Sequence, residues 1–220
     1  MPTSADDSAK RALEKFRRLN GEALAAQLQA LGYDAVFVPS RAEALRELLA
    51  RVPEGAAVGA GGSLTLGQIG ALEALRERGH EILTSTEPGA TWEEKLALRK
   101  RALFADVYLT GVNAMTADGE LVNLDGTGNR VAATCFGPGR VIYVAGINKL
   151  AFDLEEAISR VRNHAAPANA MRLGLDTPCA DTGYCHDCDS EQRICNRLVI
   201  HLRAGRGEHS VILVGEPLGL

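Results

Sequence analysis

Ala56-Ala-Val-Gly-Ala-Gly-Gly-Ser-Leu-Thr-Leu-Gly67 passes from a strand to a helix through glycine. Ala56 to Gly59 is a short run of small apolar residues, suited to a strand buried on both faces, and Pro53-Glu-Gly55 before it reads as a turn. Ser63 stands where an N-cap belongs, and Leu66, Ile69, Leu72 and Leu75 then recur at three- and four-residue steps. A strand that feeds a helix through so short a turn is half of a βαβ unit. Gly61 and Gly62 would let a ligand approach the backbone, Ser63 and Thr65 add hydroxyls, and free N–H groups at a helix start attract anions. The same residues also suit a tight turn with no ligand.

The alternation continues on both sides. Ala9 to Leu31 reads as one helix, or as two broken at Gly21, and Tyr33 to Val38 as a strand before Pro39. Ser40 with Glu43, Thr91 with Glu94 and Asp153 with Glu156 are capping pairs that predict three further helices, the second ending near Phe104. Glu81 to Thr84, Ala105 to Thr116, Leu121 to Leu124 and Arg140 to Gly146 read as strands, with Ala117-Asp-Gly119 as a hairpin turn. Val131 to Phe136 reads as a short helix, and Ala165 to Ala170 as a Pro- and Ala-rich bend. Leu198 to Leu202 and Ser210 to Val214 read as two strands around Gly205-Arg-Gly207. Trp92 is expected as a packing anchor and Cys135 as a buried apolar thiol. The pattern predicts an α/β fold with a mostly parallel sheet.

At 220 residues and 46% hydrophobic, the chain can bury a sizeable core as one domain with at most an appendage. A net charge of −4 without a long basic run argues against nucleic acid as a partner. No apolar run approaches ~18 residues, so no membrane span is expected. Met1 to Lys10 is polar and shows no export signal, which predicts a cytoplasmic protein with its first few residues disordered.

Four of the five cysteines fall in one late segment: Cys179, Cys185, Cys188 and Cys195. Cys185 and Cys188 form a C-x-x-C pair, and Pro178, Asp181, Gly183 and Asp189 are turn formers that let the backbone fold round a point. In a reducing compartment such thiols are more often metal ligands than disulfides. One close pair with two outlying cysteines favours a [4Fe–4S] cluster, while a four-cysteine zinc site is the alternative. His186, inside the pair, reads as a solvent-facing neighbour of such a centre, and His80, His164, His201 and His209 form no motif. A second glycine-bearing turn, Asp125-Gly-Thr-Gly-Asn-Arg130, offers Asp125, Asn129 and Arg130 to a carboxylate or phosphate, or is an Asx-turn beside a solvated arginine. Asn148 and Lys149 follow a strand's carboxyl end, where open α/β sheets gather ligand groups, or Lys149 is instead a surface lysine.

Gly-Gly-Ser-Leu-Thr-Leu at 61–66, Thr-Gly-Val-Asn-Ala at 110–114, Asp-Gly-Thr-Gly-Asn-Arg at 125–130, Phe-Gly-Pro-Gly-Arg-Val at 136–141 and Gly-Ile-Asn-Lys at 146–149 resemble the LUD (lactate-utilisation) domain. The resemblance runs from about Ala9 to Cys195. It implies a three-layer fold like the sugar-phosphate isomerase and CoA-transferase superfamily, over 1–176, with a metal-binding segment at 177–196 and C-terminal strands at 197–220. It also implies a link to oxidation of lactate beside iron–sulfur or flavin oxidoreductase subunits, and the cysteine segment resembles that of a LUD branch thought to carry a cluster. No counterpart of the CoA-transferase glutamate nucleophile is evident, since Glu120 lies in a hairpin without a supporting motif.

Three functions follow as expectations. The first is an iron–sulfur protein that passes electrons through Cys179, Cys185, Cys188 and Cys195. Gly61, Gly62, Ser63, Thr65, Asn113, Asp125, Asn129, Arg130, Asn148 and Lys149 would hold its small anionic ligand, lactate-like or phosphorylated. Hydride chemistry then belongs to a partner, because the chain has no flavin or nicotinamide fingerprint. The second is a binding or regulatory module stapled by zinc. The third, from fold analogy, is an isomerase or transferase with Asp125 as acid/base.

Overall fold

The computed structural model describes residues 5–86 and 89–220; the first four residues, where disorder is expected, lie outside the described part. In chain order the elements are α1 (Ala5–Ala30), β1 (Asp34–Val38), α2 (Arg41–Arg51), β2 (Val58–Ala60), α3 (Leu64–Gln68), α4 (Ala71–Glu77), β3 (Ile82–Thr84), α5 (Trp92–Ala102) and β4 (Val107–Gly111). They continue with β5 (Ala114–Thr116), β6 (Leu121–Asp125), α6 (Asn129–Cys135), β7 (Arg140–Gly146) and a 3₁₀ turn at Ile147–Lys149. β8 (Leu150–Ala151), α7 (Leu154–Arg160), a π-helical turn at Val161–Ala165, α8 (Ala166–Leu173), α9 (Pro178–Thr182), β9 (Arg197–His201) and β10 (Glu208–Val214) complete the order.

Six strands form a parallel sheet in the order β1-β10-β7-β4-β2-β3. Its central strands are apolar almost throughout because helices cover both faces. Tyr143, Val211 and Leu213 face Leu24 and Leu28 of α1 and Ala102 of α5. Their neighbours Ile142, Ile212 and Val214 face Leu48 of α2, Leu66 of α3 and Leu75 of α4. Each fully buried leucine here stabilises the fold by roughly 1.5–3 kcal/mol relative to exposure. A smaller mixed sheet, β8-β5-β6-β9, packs its own core, with Val122 and Ala151 against Ala157 and Val161. The two last strands are thus not partners: β9 pairs with β6, and β10 sits inside the parallel sheet between β1 and β7.

Caps fix the helix starts that the sequence predicts. Thr91 Oγ1 accepts from the Glu94 N–H (3.3 Å) while Glu94 accepts from the Thr91 N–H (2.7 Å), and Ser40 and Asp153 cap α2 and α7.

Of the two readings of the first segment the single helix holds: α1 runs through Gly21 unbroken, and a Cβ there would overlap the Phe37 ring, so glycine serves close approach to β1. Several other expectations need correction. The expected single helix after Ser63 is two, because Gly70 turns left-handed (φ +68°) between α3 and α4. Ala105 to Thr116 holds two strands, β4 and β5, in different sheets. The expected bend at 165–170 is helix α8, entered from the π-helical turn, with Pro167 in the first turn where its missing N–H is harmless. Trp92 is 58% exposed, and the Arg99 guanidinium lies over its ring at 5.2 Å. Cys135 is exposed, because Val131, Ala133 and Thr134 take the buried positions of α6. The motif-less histidines His201 and His209 stand in a ring cluster with Tyr33 and Tyr143, and burial holds both imidazoles below their usual pKa.

Candidate anion-binding site

Turns after the carboxyl ends of β2, β4 and β7 converge with the turn after β6 around one cavity of about 230 Å³. From the sequence-predicted residues it takes Gly62, Ser63, Thr65, Asn113, Asp125, Asn129, Arg130 and Lys149 as lining. Gly61 does not line it; a Cβ there would touch the Tyr108 hydroxyl and the Arg130 stem at 3.3–3.4 Å. Asn148 does not line it either. Its Oδ1 accepts from the Leu218 N–H (2.9 Å) and clamps the segment that follows β10.

Arg130 is a strut. Its Nε donates to Asp125 Oδ2 (3.0 Å), one terminal nitrogen to Asn123 Oδ1 (2.6 Å) and Gly111 O (3.4 Å), the other to Asn113 Oδ1 and Leu124 O (both 2.9 Å). A guanidinium has five N–H donors, and all five are engaged. Arg130 therefore gives positive potential to the cavity but keeps no donor for a bidentate ligand. Asp125 is equally committed, because its other oxygen accepts from the Gly128 N–H (2.5 Å) in an Asx-turn. A carboxylate with both oxygens so bound is poorly placed to act as acid/base. Beneath them burial pushes the Tyr108 hydroxyl up to about 12.

Lys149 differs. It is 4% exposed, and its Nζ donates to Thr65 Oγ1 (3.2 Å). No carboxylate among the described side chains pairs with it. Burial, then the positive charges of Arg160 and Arg130, lower its pKa to about 7. An ammonium in water-poor surroundings without a counter-charge costs free energy that an anionic ligand would offset. The Ser63 hydroxyl, which caps α3 by accepting from the Leu66 N–H (3.3 Å), keeps its own proton to donate. Opposite stand Asn169 and Arg172 of α8, joined by two bonds to Asn169 Oδ1 (3.0 and 2.8 Å). Sequence reasoning missed this pair because 165–170 reads as a bend; the signal was the run Asn169-Ala-Met-Arg172, which puts the two side chains one turn apart on a helix. Gly219 closes the cavity beside the amine, where a Cβ would lie 2.6 Å from Thr65 Oγ1 and 2.8 Å from Lys149 Nζ.

The cysteine segment walls the same cavity. Ile194 lines it and lies so close to Gly126 that a Cβ there would be 3.0 Å from the Ile194 Cα, while the Asn196 N–H donates to Asp125 O (3.0 Å). Cys185 and Cys195 face a neighbouring cavity of about 220 Å³ with Asp187 and Arg193, and Leu124 borders both cavities. Burial raises the Cys195 thiol pKa, Arg193 opposes the rise, and Cys185 and Cys188 add to it. The Thr177 hydroxyl lies 3.4 Å from the Cys179 sulfur. His186 is exposed, stacked on Tyr184 and bonded to Thr182. The donor set suits a thiolate centre in kind. Among the described residues no group of three or more His, Cys, Asp or Glu is placed to hold a metal ion.

A family model described as the LUD domain matches residues 21–214. The chain belongs to the LUD-domain family. The LUD match takes in the four clustered cysteines and every cavity residue from Gly62 to Ile194, leaving Gly219 and Leu220 beyond it. A DUF162 family protein from Deinococcus radiodurans shares the LUD fold seen here, at a TM-score of 0.53 and 17% identity over 90% of this chain and 98% of that one. eIF2B delta from Chaetomium thermophilum aligns over 54% of this chain and 51% of that one, at 19% identity and a TM-score of 0.33, too low to carry an argument. No curated protein matches the chain. No described helix is long and apolar enough to cross a membrane.

Proposed function

We propose that this LUD protein binds a small organic acid of the lactate class in the cavity at Lys149. LUD membership supports a protein related to lactate utilisation. The observation that carries the reading is the buried Lys149 amine, which lines the cavity with only a hydroxyl as its partner among the described residues. A volume of about 230 Å³ lies below the roughly 300–1,000 Å³ of drug-sized ligand pockets, which favours a three-carbon acid over a phosphorylated cofactor. Ser63, Asn129 and Arg172 supply the remaining donors, and Arg130 supplies field without contact. Calorimetric titration with lactate tests this: wild type should bind, Lys149→Met should lose at least about tenfold in affinity, and binding of inorganic phosphate in preference to lactate would refute the reading.

A metal centre on Cys179, Cys185, Cys188 and Cys195 is the second reading. The electrostatic coupling of Cys195 to Cys185 and Cys188 favours it, as does the contact of Ile194 with the Asp125 turn. A cluster would supply one-electron transfer when bound, and an oxidoreductase partner would then carry the two-electron oxidation of the acid. Zinc would instead staple the segment. Iron, sulfide and zinc analysis of anaerobically prepared protein separates the two, and a metal content near zero would remove both.

A further inference from the structure

We infer that Lys149 is a covalent amine for 2-oxo acids, joining their carbonyl carbon as an imine inside the cavity. The inference rests on the organic-acid reading of this site and adds the ligand's chemical class. A cation meant only to attract anions does best when fully charged, with a carboxylate nearby to keep it so or with its head in water. Lys149 has neither. It is buried, its bonded partner among the described residues is the Thr65 hydroxyl, and the positive charges of the Arg160 and Arg130 guanidinium groups both act on it. Those surroundings favour the uncharged amine, the nucleophilic form. The near-neutral pKa agrees with this geometry.

The rest of the cavity suits the acid end of such a ligand. Ser63 and Thr65 offer hydroxyls beside the amine, and Arg172 faces them from α8 with Asn169 holding two of its donors. The chemistry needs no oxidant. The lone pair of Lys149 Nζ forms a bond to C2 of the 2-oxo acid, and the carbonyl π pair moves onto oxygen. One proton passes from nitrogen to that oxygen, with the Thr65 hydroxyl placed to relay it. A second proton, taken from solvent, lets the oxygen leave as water as the C2–O bond breaks and the nitrogen pair forms C=N; the resulting iminium then returns its N–H proton to solvent. The sum is amine plus ketone giving imine plus water. A 2-oxo acid is what two-electron oxidation of a 2-hydroxy acid yields, so the reaction that supplies this ligand is of that class.

The test is reductive trapping on the full chain. Protein is incubated with pyruvate and cyanoborohydride, and the adduct is mapped by peptide mass spectrometry beside a lactate control and a urea-unfolded control. One adduct per chain at Lys149 is expected, with Lys10, Lys15, Lys95 and Lys100 unlabelled in the folded protein and no adduct from lactate. Thr65→Val should slow trapping at saturating pyruvate by at least about tenfold, beyond whatever it costs in pyruvate affinity measured by calorimetry. Lys149→Arg, which keeps a cation, should abolish trapping. Labelling spread over the surface lysines, or none at Lys149, would overturn the inference. If pyruvate and lactate still bind in calorimetry, the covalent step alone has failed; if neither binds, the organic-acid site has failed with it. The mapping in wild-type protein decides the matter even if a variant does not fold.

Discussion

Two neighbouring cavities share Leu124 and differ in what holds their polar groups. At the organic-acid site the struts are complete without a ligand: Arg130 spends five donors on protein acceptors, and Asp125 spends both oxygens. At the cysteine site, Arg193 bonds Asp187 and the Cys188 carbonyl, and no group of three or more His, Cys, Asp or Glu among the described residues is placed to hold a metal ion. The first site is pre-organised by strand ends of two sheets. The second is loop from Tyr184 to Asn196, and a shell of sulfur ligands there would have to be assembled by what it binds. A strut that saturates its arginine fixes shape, while the lysine left beside it keeps the reactivity.

The largest effect should come from breaking the strut. Arg130→Leu leaves Asp125, Asn123 and Asn113 facing an apolar side chain, with Arg130 and Asp125 side chains only 14% and 11% exposed. A loss of roughly 3–5 kcal/mol in urea unfolding is expected; a loss below about 1 kcal/mol would mean that the network is not structural.

Next comes Lys149. Its folded pKa, about 7, lies below the unfolded value of 10.5, so between these the unfolded chain binds more protons and stability rises with pH. Below pH 7 both states are protonated and the burial cost is fully present. Relative to Lys149→Met, the wild type should gain on the order of 4 kcal/mol between pH 6 and pH 10. A pH-independent gap would show that the amine is solvated. Organic-acid affinity has the opposite slope, strengthening as pH falls through neutrality and the amine charges. That slope should vanish in the methionine variant.

Gly219→Ala should act on binding more than on folding. Its Cβ would press on Thr65 and Lys149 at a positive φ of 68°, and lactate affinity should fall about tenfold, near 1.4 kcal/mol. Unchanged affinity would mean that this segment does not close the cavity. The smallest effect should be Cys179→Ser in metal-free protein, under about 0.5 kcal/mol, because the Cys179 sulfur meets a hydroxyl, that of Thr177, which a serine can also bond. The same change should cut metal retention sharply if a thiolate centre forms.

The sequence carries the local rules well. Ser63 caps α3, Thr91 and Glu94 close their box, Ala117 to Gly119 turns the hairpin, and the glycine-bearing turns meet because strand ends of a parallel sheet face one way. What it hides is decided across distance. That Gly21 makes room for Phe37, sixteen positions on, cannot be read from α1 alone. Arg130 looks like an anion clamp until its five acceptors, drawn from β4, β6 and the Gly111–Asn113 turn, are brought together. Asn169 and Arg172 were obscured by Pro167, which reads as a breaker but sits in a first helical turn. Trp92 and Cys135 show that residue type sets a preference for burial, while the helix face decides it.

The most direct measurement is the titration of Lys149 itself, followed by nuclear magnetic resonance of protein carrying ¹³C-labelled lysine. The Lys149 signal should titrate near pH 7, far from the other lysines, and should move upward when lactate is added. A Lys149 signal that titrates with the surface lysines, or that ignores lactate, would contradict the proposed site.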